Sequence, residues 1–217
     1  MNDLHLYEEI MLLALRDQEG TPGGWYHHAV GGAILAELLA SGRLRLEDDV
    51  VHPADTRPAR DPLLDECFDT IRAAKRPARL AHWMAKFAGL PGLKRRAVEG
   101  LLRRGILRAD EDKVLLIFER EIFPEIDPAP ERELKERIRD AVLSDTAQVD
   151  PETAVLIALA HRTGLLGVAF ERQELKGRDK RIERIMSGNA TGKAAKEAIE
   201  SMQAAFLLLT VMPAVLH

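Results

Sequence analysis

Trp25, Tyr26, His27 and His28 stand together in "GGWYHHAVGGAILAEL", between two glycine pairs and just ahead of an apolar run. The chain has only two Trp and two Tyr, so this stretch holds a large share of its ring chemistry. Three uses fit these residue types. The rings can plug the core, the imidazoles can ligate a metal, or an indole can rim a pocket that faces something outside the protein. His52, His82 and His161 widen the set of imidazoles, yet adjacent histidines point apart on most backbones and no cysteine pair joins them. No metal is expected.

A second cluster is basic. From Thr70 to Arg108 there are eleven Lys and Arg against the single acid Glu99, about +10 in a chain of net charge −4, which leaves about −14 elsewhere. Segregation of this kind raises a local positive potential despite a sequence pI near 6.0. It points to an anionic partner: phospholipid headgroups, nucleic acid or an acidic protein. The plainer alternative is a set of solvated helix faces.

Catalytic arrangements are not found. The sequence carries no Gly-x-Ser-x-Gly elbow, no His-Glu-x-x-His and no nucleophile–base pair. Its many carboxylates include none that stands alone in an apolar run as a tuned acid would. "GNATGK", residues 188–193, comes near a phosphate loop. It has three residues between its glycines where that loop has four, and Ala194 follows the lysine in place of Ser or Thr. A turn between helices accounts for it. No enzyme activity and no cofactor are expected.

The elements that must position these clusters read as helices. Hydrophobic residues make up 46% and charged residues 30%, while aromatics are 5%, so the core is built from Leu, Ile, Val and Ala. Helical spacing is seen in residues 4–16, from Ala29 to the Ser41-Gly42 stop, in 63–76 and 78–88 on either side of Pro77, and in "LKRRAVEGLLRRG" up to Gly105. "RLRLEDD" reads as a short strand and "VHPADTRPARDP" as a proline-punctuated loop. Residues 106–118 read as a hairpin with "ADED" as its turn and "VLLIF" as an apolar arm. "ERELKERIRDAVLSD" follows as an amphipathic helix. "PETAVLIALAHRTGLL" opens with Pro151 at a helix start and is apolar nearly all round, which places it at the centre of the fold. Two more helices divide at Gly188-Asn189. The expected architecture is a mainly α, single-domain helical fold around a central apolar helix, with one or two small β-hairpins.

The lone Cys67 fits a reducing compartment. The opening residues lack a basic leader, and the longest apolar run, "AAFLLLTVMPAVL", is too short to span a bilayer and contains Pro213. A cytoplasmic protein that meets membranes only from the side is expected. The order of helix, strand and hairpin also suggests a winged helix, with Lys94 to Arg104 on phosphates and the hairpin as the wing. Its candidate recognition helices lack polar side chains for base edges.

Taken in order, "LYEEIMLLALRDQEG", the Trp, "GGAILAELLASGRLRLE", "LLRRGILRADEDKVLLIF" and "LIALAHRTGLLGVAF" resemble the Golgi phosphoprotein 3 family. The resemblance spans about residues 3 to 212. It implies one mainly helical domain, taken as 3–213, and a non-catalytic adaptor at a membrane surface. In the eukaryotic members, phosphatidylinositol 4-phosphate sits against a Trp and several Arg, and an apolar hairpin can dip into lipid. Carried over by position, the Trp falls at Trp25. The arginines fall at Gly31, Pro91 and Lys94, so a bidentate guanidinium grip is replaced by at most a point charge. Arg95, Arg96 and His28 lie close to the vacated positions.

The headgroup site implied is therefore Trp25, His28, Lys94, Arg95 and Arg96, and the partner is an anionic phospholipid surface that is bound reversibly. A protein partner, or self-association through the 106–118 hairpin, is the second expectation, and nucleic acid the third.

Overall fold

The computed structural model describes residues 4–15, 22–23, 25–114, 118–144 and 148–187. Among them the chain forms helices α1 (Leu6–Ala14), α2 (Tyr26–Ala40), α3 (Pro62–Arg72), α4 (Leu80–Ala88), α5 (Leu93–Arg103), α6 (Ala129–Leu143), α7 (Pro151–Arg162), α8 (Leu166–Ala169) and α9 (Asp179–Met186). Strands β1 (Leu44–Glu47), β2 (Val50–Pro53) and β3 (Ala78–Arg79) make one antiparallel sheet, and β4 (Asp110–Val114) with β5 (Phe118–Ile122) makes the other. The fold is mainly helical with two small sheets.

Local chemistry sets many of the helix ends. Asp61 accepts a hydrogen bond from the Leu64 amide at 2.9 Å with Pro62 following it, and Asp150 does the same for Thr153 ahead of Pro151. Each is an N-cap joined to a proline that is already shaped for the first turn, a combination worth about 1 kcal/mol per cap. Gly42 and Gly105 both stand at φ +70. In each case the next residue's amide reaches back into the helix, Arg43 to Leu38 and Ile106 to Leu101, both at 3.0 Å. This six-to-one closure is why two helices end in the same Gly-x-Leu pattern before an extended segment.

The core is built on three helices. All nine residues of α1 are buried, and α7 buries every position from Thr153 to Ala160. A helix that is apolar all round has no face for solvent, and α7 duly packs against α1, α2, α6, α8 and α9. The expected central helix is present, with α1 and α2 as its equals. Pro77 separates α3 from α4, and the stretch after it first adds β3 to the sheet.

Three boundaries differ from the sequence expectation. The turn ahead of α2 ends sooner, so α2 starts at Tyr26 and not near Ala29. "VHP", read as the start of a loop, pairs with β1 as part of β2. In the second hairpin "ADED" is largely strand: Asp110–Val114 pairs with Phe118–Ile122, and the register sets Asp112 against Arg120 and Lys113 against Glu119. Residues 115–117 of the 106–118 hairpin, "GNATGK" and the C-terminal apolar run lie outside the described residues.

Candidate functional site

Trp25 is the N-cap of α2 and is 55% exposed, so it is not a plug for the core. That part is taken by Trp83 of α4, which is 1% exposed. The Trp25 amide donates to the Thr163 carbonyl at 3.1 Å, tying the start of α2 to the end of α7. The His28 ring meets the Trp25 ring edge-on at 5.9 Å between centroids. Its Nδ1 is buried and has no hydrogen-bond partner among the described residues. Tyr26 and His27 pack against each other at 3.8 Å. Burial, together with the neighbouring His28, holds the His27 imidazole below its ordinary pKa. No side chain caps α2, and its first turn has no acid, so the positive end of the helix has neither a side-chain cap nor a first-turn carboxylate to offset it.

The second half of the site is the entry to α5. Gly92, at φ +64, caps the helix without a side-chain bond, and Lys94, Arg95 and Arg96 fill its first turn. Cations are disfavoured at this end of a helix by about 0.3–1 kcal/mol each. Neighbouring oxygens offset the cost. The Lys94 ammonium donates to the Glu121 carbonyl at 2.5 Å and lies 5.1 Å from the Phe123 ring centroid. Arg95 pairs with the Glu121 carboxylate at 2.5 Å. Arg96 takes Glu66 of α3 with both nitrogens, at 2.5 and 3.2 Å.

Of the five site residues read from the sequence, Trp25 and His28 are brought into contact. Arg95 and Arg96 turn towards different neighbours, β5 and α3. The two halves are joined by the packing of α2 on α4 and α5.

Gly31 explains why an arginine is missing. A Cβ placed on it would lie 2.8 Å from the Met84 carbonyl oxygen and 3.1 Å from the Ala88 nitrogen. The position is a close helix crossing, closed to any side chain while α4 stays where it is. Pro91 is exposed in the α4–α5 turn.

The structure also reveals two buried acids on α1. Glu8 is buried, pairs with Arg104 at 3.1 Å and accepts the His5 amide at 2.9 Å. Glu9 is buried against Arg137. Their position three and four residues after the N-cap was the available signal for the first bond; no local signal marks the arginines. Among the described residues no group of three or more His, Cys, Asp or Glu converges as a metal site.

A sequence profile of the Golgi phosphoprotein 3 (GPP34) family matches residues 6–202. The chain belongs to this family. It is also similar to vacuolar protein sorting-associated protein 74 of Schizosaccharomyces pombe, with 26% identity over 220 residues covering 84% of this chain and 65% of that protein. The chain thus spans somewhat less than two thirds of the length of that relative. No helix among the described residues of this Golgi phosphoprotein 3 family member is long and apolar enough to cross a membrane.

Proposed function

We propose that this Golgi phosphoprotein 3 family member is a non-catalytic sorting adaptor, a single domain over 3–213, that docks reversibly on the cytoplasmic face of an anionic membrane. Its site takes a phosphatidylinositol 4-phosphate-like headgroup against Trp25, His28, Lys94, Arg95 and Arg96. The observation that carries this reading is Trp25 itself: a large indole more than half exposed at the uncapped, positive end of a helix. An amphipathic ring in that place suits a sugar ring or the bilayer interface.

The cations at the entry to α5 are held loosely enough to be redirected. The carboxylate partners of Arg95 and Arg96 are 39% and 54% exposed, and ion pairs so open to water are worth about 0.2–1 kcal/mol. A phosphate can compete for them. The relative's name, with its reference to vacuolar sorting, supports the adaptor part of the reading.

Co-sedimentation with neutral vesicles, phosphatidylinositol 4-phosphate vesicles and phosphatidylglycerol vesicles of equal surface charge tests it. The expected result is a preference for the phosphoinositide that disappears in Trp25→Ala. Equal binding to both acidic vesicles, or none to either, overturns the headgroup assignment. Because Trp25 is exposed, its removal should change stability by less than about 0.5 kcal/mol.

A further inference from the structure

The basic segment of the chain divides in two once its partners are traced. On and after α5 the arginines meet carboxylates of the protein itself: Arg95 with Glu121 at 2.5 Å, Arg96 with Glu66 at 2.5 Å, Arg104 with Glu8 at 3.1 Å, Arg108 with Asp110 at 3.3 Å and Arg103 with Glu99 at 3.9 Å. From the turn after α3, through β3, to α4 the pattern is different. Lys75, Arg76, Arg79 and Lys86 are all exposed, and none of them forms an ion pair among the described residues. Arg72, further back on α3, pairs with Asp69.

The shape of this face limits what it can bind. The large apolar residues of α4, Leu80, Trp83, Met84 and Phe87, are at most 1% exposed, so the helix has no large apolar side chain left to insert. His82 and Lys86, about one turn apart on α4, are exposed, and Arg79 is exposed at the N-cap of the same helix. His82 stands edge-on to Trp83 at 5.3 Å, and the Lys86 ammonium lies 5.1 Å from the Trp83 ring centroid. The acids nearest along the sheet are Asp48 and Asp49, in the turn that β3 adjoins through Val50. A cluster of exposed cations that form no ion pair among the described residues creates a field that attracts an extended anionic surface.

We infer that the segment from the α3–β3 turn to α4, through Lys75, Arg76, Arg79 and Lys86, is a headgroup-unselective electrostatic dock for an anionic bilayer, separate from the Trp25 site. The inference rests on the membrane reading above and divides the work: this face supplies attraction, and the Trp25 site supplies choice of headgroup. Its placement suits that division. Gly31, under two helical turns from Trp25, crosses α4 at its last turn, where Lys86 lies. The stripe and the indole thus belong to one helix pair.

The test uses the full chain with all four residues changed to Gln, beside Trp25→Ala and an Arg103→Gln/Arg108→Gln control from the internally paired half. Each cation near an anionic surface changes partitioning by about fivefold. The quadruple variant should therefore lose at least about 100-fold in affinity for phosphatidylglycerol vesicles at low salt, and the salt dependence of binding should flatten. The control should lose little. All the changed residues are exposed, and unchanged thermal unfolding would show that the loss is one of binding.

Binding of the quadruple variant within about threefold of wild type, or an equal loss in the control, overturns the inference while leaving the Trp25 reading in place. If wild type binds no acidic vesicle at all, both fall together, and an acidic protein becomes the partner to seek for this face.

Discussion

A Cβ on Gly100 of α5 would lie 1.7 Å from Oε1 of Glu8 on α1, so the glycine leaves the space that the carboxylate fills. Glu8 is 1% exposed, and its Oε2 accepts both from the amide that begins its own helix and from Arg104. One carboxylate thus caps α1 and fastens it to α5. Gly100→Ala pushes that carboxylate out of place and strands the groups bonded to it, at an expected cost of about 3 kcal/mol. Urea unfolding measures this. If the mechanism is right, Glu8→Ala and Gly100→Ala together cost clearly less than the sum of the two; additive costs would show that the residues do not act through each other.

Glu9 sets a pH dependence. Burial pushes its carboxyl up to about 7, against the pull of Arg137, whose Nη2 lies 2.7 Å from both carboxylate oxygens. The folded value is above the unfolded one, so the native state holds the proton more tightly. The contribution is complete below about pH 4.5 and is lost as pH rises through about 7, amounting to about 3 kcal/mol across that window. Glu9→Gln cannot lose that proton. Its stability should fall less than that of wild type between pH 5 and pH 8 by roughly that amount, as read from denaturant midpoints at each pH; parallel profiles would rule out this role for Glu9.

His5 acts in the same direction by another route. Its Nδ1 pairs with Glu37 of α2, its Nε2 lies 3.8 Å from Asp61, and its ring stacks on Tyr7 at 5.4 Å. The hydrogen bond to Glu37 raises the imidazole above its ordinary value against the effect of partial burial. Protonated His5 therefore contributes stability that is fully present below about pH 6.5 and is lost as pH climbs through the higher folded value. An NMR titration of the His5 ring should give a midpoint above that of an unfolded peptide. The midpoint should move back down in Glu37→Gln; if it does not move, Glu37 is not its cause.

How much of this could be read from the chain depends on how far each cause lies from its effect. Pro151 and the Gly42 and Gly105 stops act on their own helices, and the sequence reading finds them. The density of apolar residues in "TAVLIALA" likewise marks α7 as central. Trp25 could be named for its residue type, but whether it faced outwards depended on Trp83 filling the core instead. The pairing of Arg95 with Glu121 and of Arg96 with Glu66 joins residues 26 and 30 positions apart. Glu8 and Glu9 find arginines 96 and 128 positions away. No periodicity carries that information, so a basic stretch that reads as uniform in sequence divides, among the described residues, into a half with carboxylate partners and a half without. The Gly31-Gly32 pair, which resembles turn chemistry, is illegible for the same reason: its cause is the backbone of α4 for Gly31 and the Leu159 side chain for Gly32.

Gly31 gives the sharpest test of whether this site can be restored to an arginine grip. By sequence position Gly31→Arg would return a guanidinium to the site. The geometry forbids it, because the first side-chain atom would already lie 2.8 Å from the Met84 carbonyl and 3.1 Å from the Ala88 nitrogen, both parts of a rigid helix. Overpacking a core by even small groups costs about 1–3 kcal/mol, and here a long charged chain would also be forced between buried helices without a partner. The expected outcome is a Tm lowered by well over 5 °C for Gly31→Arg, a smaller loss for Gly31→Ala, and no gain in phosphoinositide binding. A stable Gly31→Arg protein with tighter phosphoinositide binding would mean that α4 moves aside to admit the side chain, and that the headgroup lies at the α2–α4 crossing itself.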